Sequence, residues 1–259
     1  MSLTLEPTQN SQLIANIFTD KKLSGSVYYD APNNIQDDKA LTRIRLNNEN
    51  EMFYPSVMDY NKSNQVDTIY ITGQTGCGKS SFIRNYCINF KMKYPKAKIY
   101  LFSSKKEDRA LDDLKIERMR IDEDILENPF TLKELSAKSK PCLAIFDDIE
   151  DFESKKINKE IERFRNEVMR NGRSYGIFCV MVHHDPCDYN ATKSMIFEAS
   201  KFVIFPRQCA KGVYNYLLEK KCHMSKKNIN TICSLNSNFV VYNKKVPNFI
   251  LSDKYIILE

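Results

Sequence analysis

The stretch "DTIYITGQTGCGKSS", residues 67–81, constrains the fold of this chain more than any other. A short apolar strand runs into Gly73, Gly76 and Gly78, followed at once by Lys79 and Ser80, in the spacing G-x-x-x-x-G-K-[ST]. Glycine at these positions lets the backbone curl until its N–H groups face a common point, and a helix opening at Lys79 adds its positive end. A loop of that kind cradles phosphate. The expected cradle is Gly73, Gln74, Thr75, Gly76, Cys77, Gly78, Lys79, Ser80 and Ser81, with Lys79 on the β and γ phosphates and the Ser80 hydroxyl on Mg2+. Kinases, switches, transporters and motors all use such loops, so the rest of the chain has to decide the purpose.

The surrounding pattern alternates short apolar strands with amphipathic helices. Strands are expected at 67–72, 98–102, 119–122 ("MRID"), 142–147, 176–182 and 201–205, with a helix over 79–92. A further helix covers "INKEIERFRNEVMRN", where Ile157, Ile161, Phe164 and Val168 recur at helical spacing and Gly172 is placed to end it. Nearly continuous apolar strands separated by helices predict an α/β fold whose mostly parallel central sheet is covered on both faces. Residues 65–210 form this core. Residues 1–64 read as an N-terminal extension with strand-like "SVYY" and "LTRIRL" and turn signals in "DAPNN" and "NNENE". Residues 211–259 read as a helical segment followed by β-like "NFVVY" and "NFILS".

Composition agrees with a folded domain: 259 residues, 42% hydrophobic, with 7 Gly and 9 Pro, exclude a disordered or fibrous chain. A net charge of +6 tolerates a polyanionic partner without requiring one. The 8 cysteines show no C-x-x-C pair, which points to reduced thiols in a cytosolic compartment. The start, "MSLTLEPTQN", lacks the basic and apolar regions of a secretory signal, and the apolar stretch "YGIFCVMV" is too short to span a membrane. The expectation is a soluble intracellular protein.

A second motif, "CLAIFDDIED", brings acids to the carboxyl end of a buried strand, where ligands of open α/β sheets bind. Asp147 would hold the shell of Mg2+, and Asp148 would orient and deprotonate an attacking water. Hydrolytic motors with this loop usually carry Glu at the second position, one methylene longer, so Glu150 stands as the alternative base. A solvated acidic turn over Asp148, Glu150 and Asp151 is the plain alternative.

The stretch "RNGRSYGIFCVMVHHDP", residues 170–186, narrows the reading. With "FDDIE" and "ASKFVIFPR" it resembles the FtsK–HerA superfamily of DNA translocases, and within it the poxvirus-type genome-packaging ATPases of large cytoplasmic DNA viruses. The resemblance covers residues 67–207. It implies an ASCE-type P-loop NTPase (RecA-like) in which the strand ending at His184 lies between the phosphate-loop strand and the Asp147 strand. It implies ATP with Mg2+ as cofactors. His184 would sense the γ-phosphate, although members usually carry Gln there, and His183 is the adjacent substitute. A zinc site of His183, His184 and Cys187 lacks a fourth ligand at suitable spacing. Arg173, expected just past the helix end, is the first candidate for an arginine finger acting on a neighbouring subunit. Arg170 is the runner-up and Arg207 a candidate sensor. A surface arginine capping a helix end is the bland alternative for each.

The resemblance implies a motor that drives double-stranded DNA into a viral capsid, working as a homo-oligomeric ring of five or six at a capsid or portal-like vertex. Its place would be the host cytoplasm at the site of virus assembly, or the virion. The lysines of "EKKCHMSKK" (Lys220, Lys221, Lys226, Lys227), and Lys105 with Lys106, could meet DNA phosphate, or could simply be solvated. The rivals are another P-loop DNA motor, such as a helicase or a partition or conjugation ATPase, and a nucleotide-dependent switch with little turnover. No N-K-x-D follows the loop as in GTPases, "LSGS" precedes the loop where an ABC signature would follow it, and no Arg-rich lid suggests a small-molecule kinase.

Overall fold

The computed structural model describes residues 2–31, 41–150, 152–185, 187–208, 211–235 and 237–259. Asp151, Pro186, Cys209 and most of the turn expected in "DAPNN" lie outside the described residues. In chain order, the first strands are β1 (Ser2–Thr4), β2 (Gln12–Thr19), β3 (Lys22–Asp30), β4 (Arg43–Arg45) and β5 (Glu51–Pro55). Next come α1 (Tyr60–Ser63), β6 (Thr68–Thr72), α2 (Lys79–Lys93), β7 (Ile99–Ser103), β8 (Glu117–Arg118), α3 (Leu132–Lys138), β9 (Cys142–Asp147), α4 (Lys155–Tyr175), β10 (Ile177–His183) and α5 (Tyr189–Glu198). The final stretch holds β11 (Lys201–Ile204), α6 (Lys211–Tyr214), α7 (Lys226–Ser234), β12 (Val240–Asn243), β13 (Phe249–Ser252) and β14 (Tyr255–Leu258).

Contacts divide this chain into two units, Val57–Ser200 and a second built from Met1–Ser56 with Lys201–Glu259. The three consecutive stretches read from the sequence, 1–64, 65–210 and 211–259, are thus grouped differently. The reason is long-range pairing: β4 and β14 run antiparallel with Ile44 opposite Ile256, which no local pattern could reveal.

In the unit Val57–Ser200 the strand order is β6-β10-β9-β7-β8, and all these neighbours are parallel. The strand ending next to His184 therefore lies between the phosphate-loop strand and the Asp147 strand, the order that the resemblance requires. Every residue of β6, β7, β9 and β10 is buried, as expected of a sheet covered on both faces. On one face α2 lays Phe90 against Phe178, ring centroids 5.2 Å apart. On the other, Phe164 of α4 meets Phe102 and Phe146, which stack on each other at 4.7 Å. Each such ring contributes about 1.5–3 kcal/mol of burial. Ile157, Ile161, Phe164 and Val168 are all buried, so the stripe read from the sequence is the packed face of α4.

Two local expectations are corrected here. The long helix does not end at Gly172 but runs through it to Tyr175, and Gly176 caps it with φ 68°, its N–H returning to the carbonyls of Arg173 and Gly172. Gly172 serves packing instead, because a Cβ there would come within 3.0 Å of the Ile177 carbonyl oxygen. No strand forms over residues 119–122; the two-residue β8, Glu117–Arg118, lies just before them, and Asp122 accepts from the Asp124 N–H to cap a 3-10 turn over Glu123–Leu126.

The other unit contains an antiparallel sheet in the order β1-β3-β2-β5 and a second antiparallel run from β11 through β12, β13 and β14 to β4. β2 escapes the sequence pattern because bulges at Leu13/Ala15 and Ile17/Phe18 break its alternation. Lys220 and Lys221 fall on a π-helical stretch, Asn215–Lys221, while Lys226 and Lys227 open α7 behind the Ser225 cap. Among the described residues no disulfide joins the cysteines, and no helix is long and apolar enough to cross a membrane.

Candidate functional site

The residues singled out between β6 and α2 stand at the carboxyl end of the parallel strands. Gly76 and Gly78 take φ of 82° and 109°, conformations strained for any side chain, so the loop needs glycine at both. Gly78 is the cap of α2, whose first N–H groups face the cleft direction with its positive end. Thr75, Gly76, Gly78, Lys79, Ser80, Ser81, Lys105, Asp147, Asp148 and His184 together line a cleft of about 230 Å³. Residues expected from three separate motifs thus meet at one place.

Lys79 is buried, and its Nζ donates to the carbonyls of Gly73 (2.7 Å) and Gln74 (2.9 Å). It also lies 3.3 Å from His184 Nδ1. An ammonium can only donate, so Nδ1 accepts, and the proton of the ring sits on Nε2. Nε2 then donates to Asp148 Oδ1 at 2.7 Å. His184 is in this way pinned between the loop lysine and the second aspartate.

Asp148 sits one residue beyond β9 with φ 51°, a left-handed turn that swings its carboxylate into the cleft, where the side chain is 2% exposed. The Lys105 ammonium pairs with its other oxygen, Oδ2. Burial pushes the Asp148 carboxyl up, but the Lys105 and His184 contacts outweigh it and hold the group below the usual carboxylate range. Ser104 Oγ donates to the Asp148 carbonyl at 2.7 Å, fixing the same turn from β7. Asp147, at the end of β9, behaves differently: burial, with the charge of Asp148 added, pushes it up to about 6, and Lys105 and Lys79 offset this only in part. A divalent cation would supply the counter-charge that Asp147 needs to stay ionised. Together with the Ser80 hydroxyl, the donor set fits Mg2+ bound mainly by phosphate and water.

The remaining candidates are placed elsewhere. Glu150 is not among the residues lining the cleft; its Oε1 lies 3.3 Å from His183 Nε2 and 3.7 Å from Arg165 Nη1. The two histidines part because successive side chains of a strand tip point to opposite faces. His183 is buried toward Glu150, and its Nδ1 accepts the Asp185 N–H. His183 and His184 therefore do not converge, and among the described residues no cluster of metal-ligating side chains is present. Arg173 is exposed in the last turn of α4, before the cap and not after it, at the amino end of β10. The cleft lies at the other end of that strand. Arg170 lies 3.9 Å from Glu198, and Arg207 Nη1 donates to Asn238 Oδ1 at 2.9 Å.

Two residues carry more than their sequence positions suggested. Lys105, read as a DNA-facing or solvated lysine, is a cleft residue. Arg165, which the sequence pattern did not single out, is 4% exposed and lies 3.7 Å from Glu150. The signal for Lys105 was its place right after a core strand, one strand beyond Asp147; nothing local marked Arg165.

No family model matches the chain. It is 29% identical over 186 residues to the uncharacterized protein V3 of Sputnik virophage, which spans 71% of this chain and 74% of that protein. It is similar in structure to the DNA-packaging ATPase B204 of Sulfolobus turreted icosahedral virus, with a TM-score of 0.51 and 15% identity over 72% of this chain and 97% of that one. The genome-packaging NTPase B204 of Sulfolobus turreted icosahedral virus 2, in complex with ATP-gammaS, gives a TM-score of 0.51 and 14% identity over 73% of this chain and 96% of that one. The chain has the α/β fold of P-loop ATPases.

Proposed function

We propose that this protein is an ATP-hydrolysing motor that translocates double-stranded DNA into a viral capsid, acting as a homo-oligomeric ring. The observation that carries the hydrolytic part is the convergence of Lys79, Ser80, Asp147, Asp148 and His184 on one cleft at the carboxyl end of the sheet. The DNA-packaging part is supported by the shared fold with B204 and by a virophage relative, and it follows the resemblance already read in residues 67–207.

In this reading the loop N–H groups and the α2 terminus bind the phosphate chain, with Lys79 leaving its loop carbonyls to reach the β and γ oxygens. Mg2+, held through Ser80 and Asp147, would draw charge from the β and γ phosphates. Asp148 takes a proton from water as the water oxygen bonds to the γ-phosphorus. The bond from that phosphorus to the β–γ bridging oxygen breaks, and ADP leaves with the electron pair. His184 orients Asp148 and reports on the phosphate through Lys79. Arg173 is too remote from its own cleft to act there, which leaves it to a neighbouring protomer. Glu150, engaged by Arg165 and His183, is set aside as the base.

A second reading, a nucleotide-dependent switch with little turnover, is favoured by one observation: both oxygens of Asp148 are already engaged. ATP turnover with and without long duplex DNA, for wild type and Lys79→Ala, separates the two. Turnover that duplex DNA stimulates and that Lys79→Ala abolishes supports the motor. Tight ATP binding without turnover supports the switch, and turnover indifferent to DNA argues against packaging.

A further inference from the structure

The engagement of Asp148 has a further consequence. A carboxylate whose Oδ1 accepts from His184, whose Oδ2 is paired with Lys105 and whose side chain is 2% exposed keeps spare lone pairs but gives a water little access to them, and the two donors lower its basicity. Release of one partner opens the carboxylate to water and restores its basicity. His184 is anchored from its far side by Lys79, 3.3 Å away. Lys105 is the movable one: its side chain is 53% exposed, and its flexible stem leads from the end of β7 across the cleft mouth. Its backbone is meanwhile held in place, since the Lys105 N–H donates to Ser103 Oγ at 3.2 Å.

We propose that Lys105 is a γ-phosphate-binding residue that is parked on Asp148 until ATP arrives, so that the third phosphate both takes the lysine and frees the base. The inference rests on the hydrolytic reading of this cleft and deepens it. The geometry constrains where Lys105 can go. A group in contact with the oxygen that faces the attacking water lies within a few ångströms of the phosphorus under attack. On the hydrolytic reading the loop and the α2 terminus take the α and β phosphates, which leaves the part of the cleft lined by Lys105 and Asp148 for the third. A terminal phosphate, with more charge than a carboxylate and more acceptor oxygens, outcompetes Asp148 for one ammonium. ADP offers nothing at that position, so the parked state persists with ADP and the base stays masked. The cleft then distinguishes the two nucleotides by one mobile cation.

The test is the affinity of wild type, Lys105→Met and Lys105→Arg for Mg·ADP and for Mg·ATP-gammaS, by calorimetry. The expected result is that Lys105→Met loses roughly tenfold or more for ATP-gammaS while ADP binding stays at the wild-type level, and that Lys105→Arg recovers most of the loss. Unchanged ADP affinity serves as the control for folding. An equal loss for both nucleotides, or no loss for either, would overturn the proposal while leaving the hydrolytic reading intact. A wild type that binds neither nucleotide overturns both.

Discussion

Two clusters of like composition flank the strand tips. One, in the cleft, joins Lys79 and Lys105 to Asp148 and His184; the other, beneath it against α4, joins Arg165 to Glu150 and His183. Each contains a carboxylate, a histidine and at least one cation, and the histidines are chain neighbours. The difference is access to the histidine and to a cation. The His184 and Lys105 side chains are 42% and 53% exposed, whereas those of His183 and Arg165 are 8% and 4%. Where solvent and ligand can enter, the charges can be exchanged for those of a substrate. Where they cannot, the same residue types only hold the strand tips to the helix. The chemistry of a residue type is set by the face of the sheet it lands on.

The sharpest way to break this comparison is in the cleft cluster itself. Lys79→Ala should abolish ATP turnover, a loss of about a thousandfold or more, because among the described residues Lys79 is the buried ammonium that the loop holds at the cleft to meet the β and γ oxygens. A phosphate-release assay that found appreciable turnover would remove the cleft as the site. Next, Asp148→Asn should cost about a hundredfold in kcat with nucleotide binding retained, while Glu150→Gln stays within a few-fold of wild type. If steady-state kinetics reversed that order, the buried cluster would be the catalytic one.

The buried cluster answers to stability. Arg165→Ala removes a buried side chain and its pairing with the one-third-exposed Glu150, and should cost about 1–2 kcal/mol in urea unfolding. A change under about 0.5 kcal/mol would mean that the pair holds nothing. Asp147 gives a pH signature in metal-free buffer. Its folded value near 6 lies above that of the unfolded chain, about 3.9, so between these values the folded form keeps a proton that the unfolded form has lost. Its contribution therefore falls as pH rises from about 4 to 6, by about 2–3 kcal/mol in all. Comparing wild type with Asp147→Asn isolates it, and a parallel pair of stability curves across that window would contradict the shift. The smallest expected effect is His184→Gln, a few-fold loss in kcat, since Gln keeps a donor for Asp148 but not the ring geometry. An effect as large as that of Asp148→Asn would make His184 a proton carrier.

The fold was legible where local chemistry is strong. The β6 strand, the glycine loop, α2, the buried stripe of α4 and the acids after β9 all stand where hydrophobic period and turn chemistry put them. Gly172 shows where that reading fails. A glycine near a helix end looks like a cap, yet this one is buried against Ile177, where a Cβ would crowd the backbone, and Gly176 does the capping. Sequence pattern cannot distinguish a glycine needed for its φ from one needed for its missing Cβ.

By itself the sequence determined the elements and the residue types of the cleft, because a loop of glycines before a lysine and a carboxylate ending a buried strand are local signals. Only the tertiary structure decided which of the neighbouring acids and histidines entered that cleft. It also decided that Lys105, from a strand not adjacent in sequence, would sit on Asp148, and that the two ends of the chain would share a unit. Those outcomes depend on strand order, on the alternation of side chains across a sheet and on long-range pairing, none of which is written in any single stretch of residues.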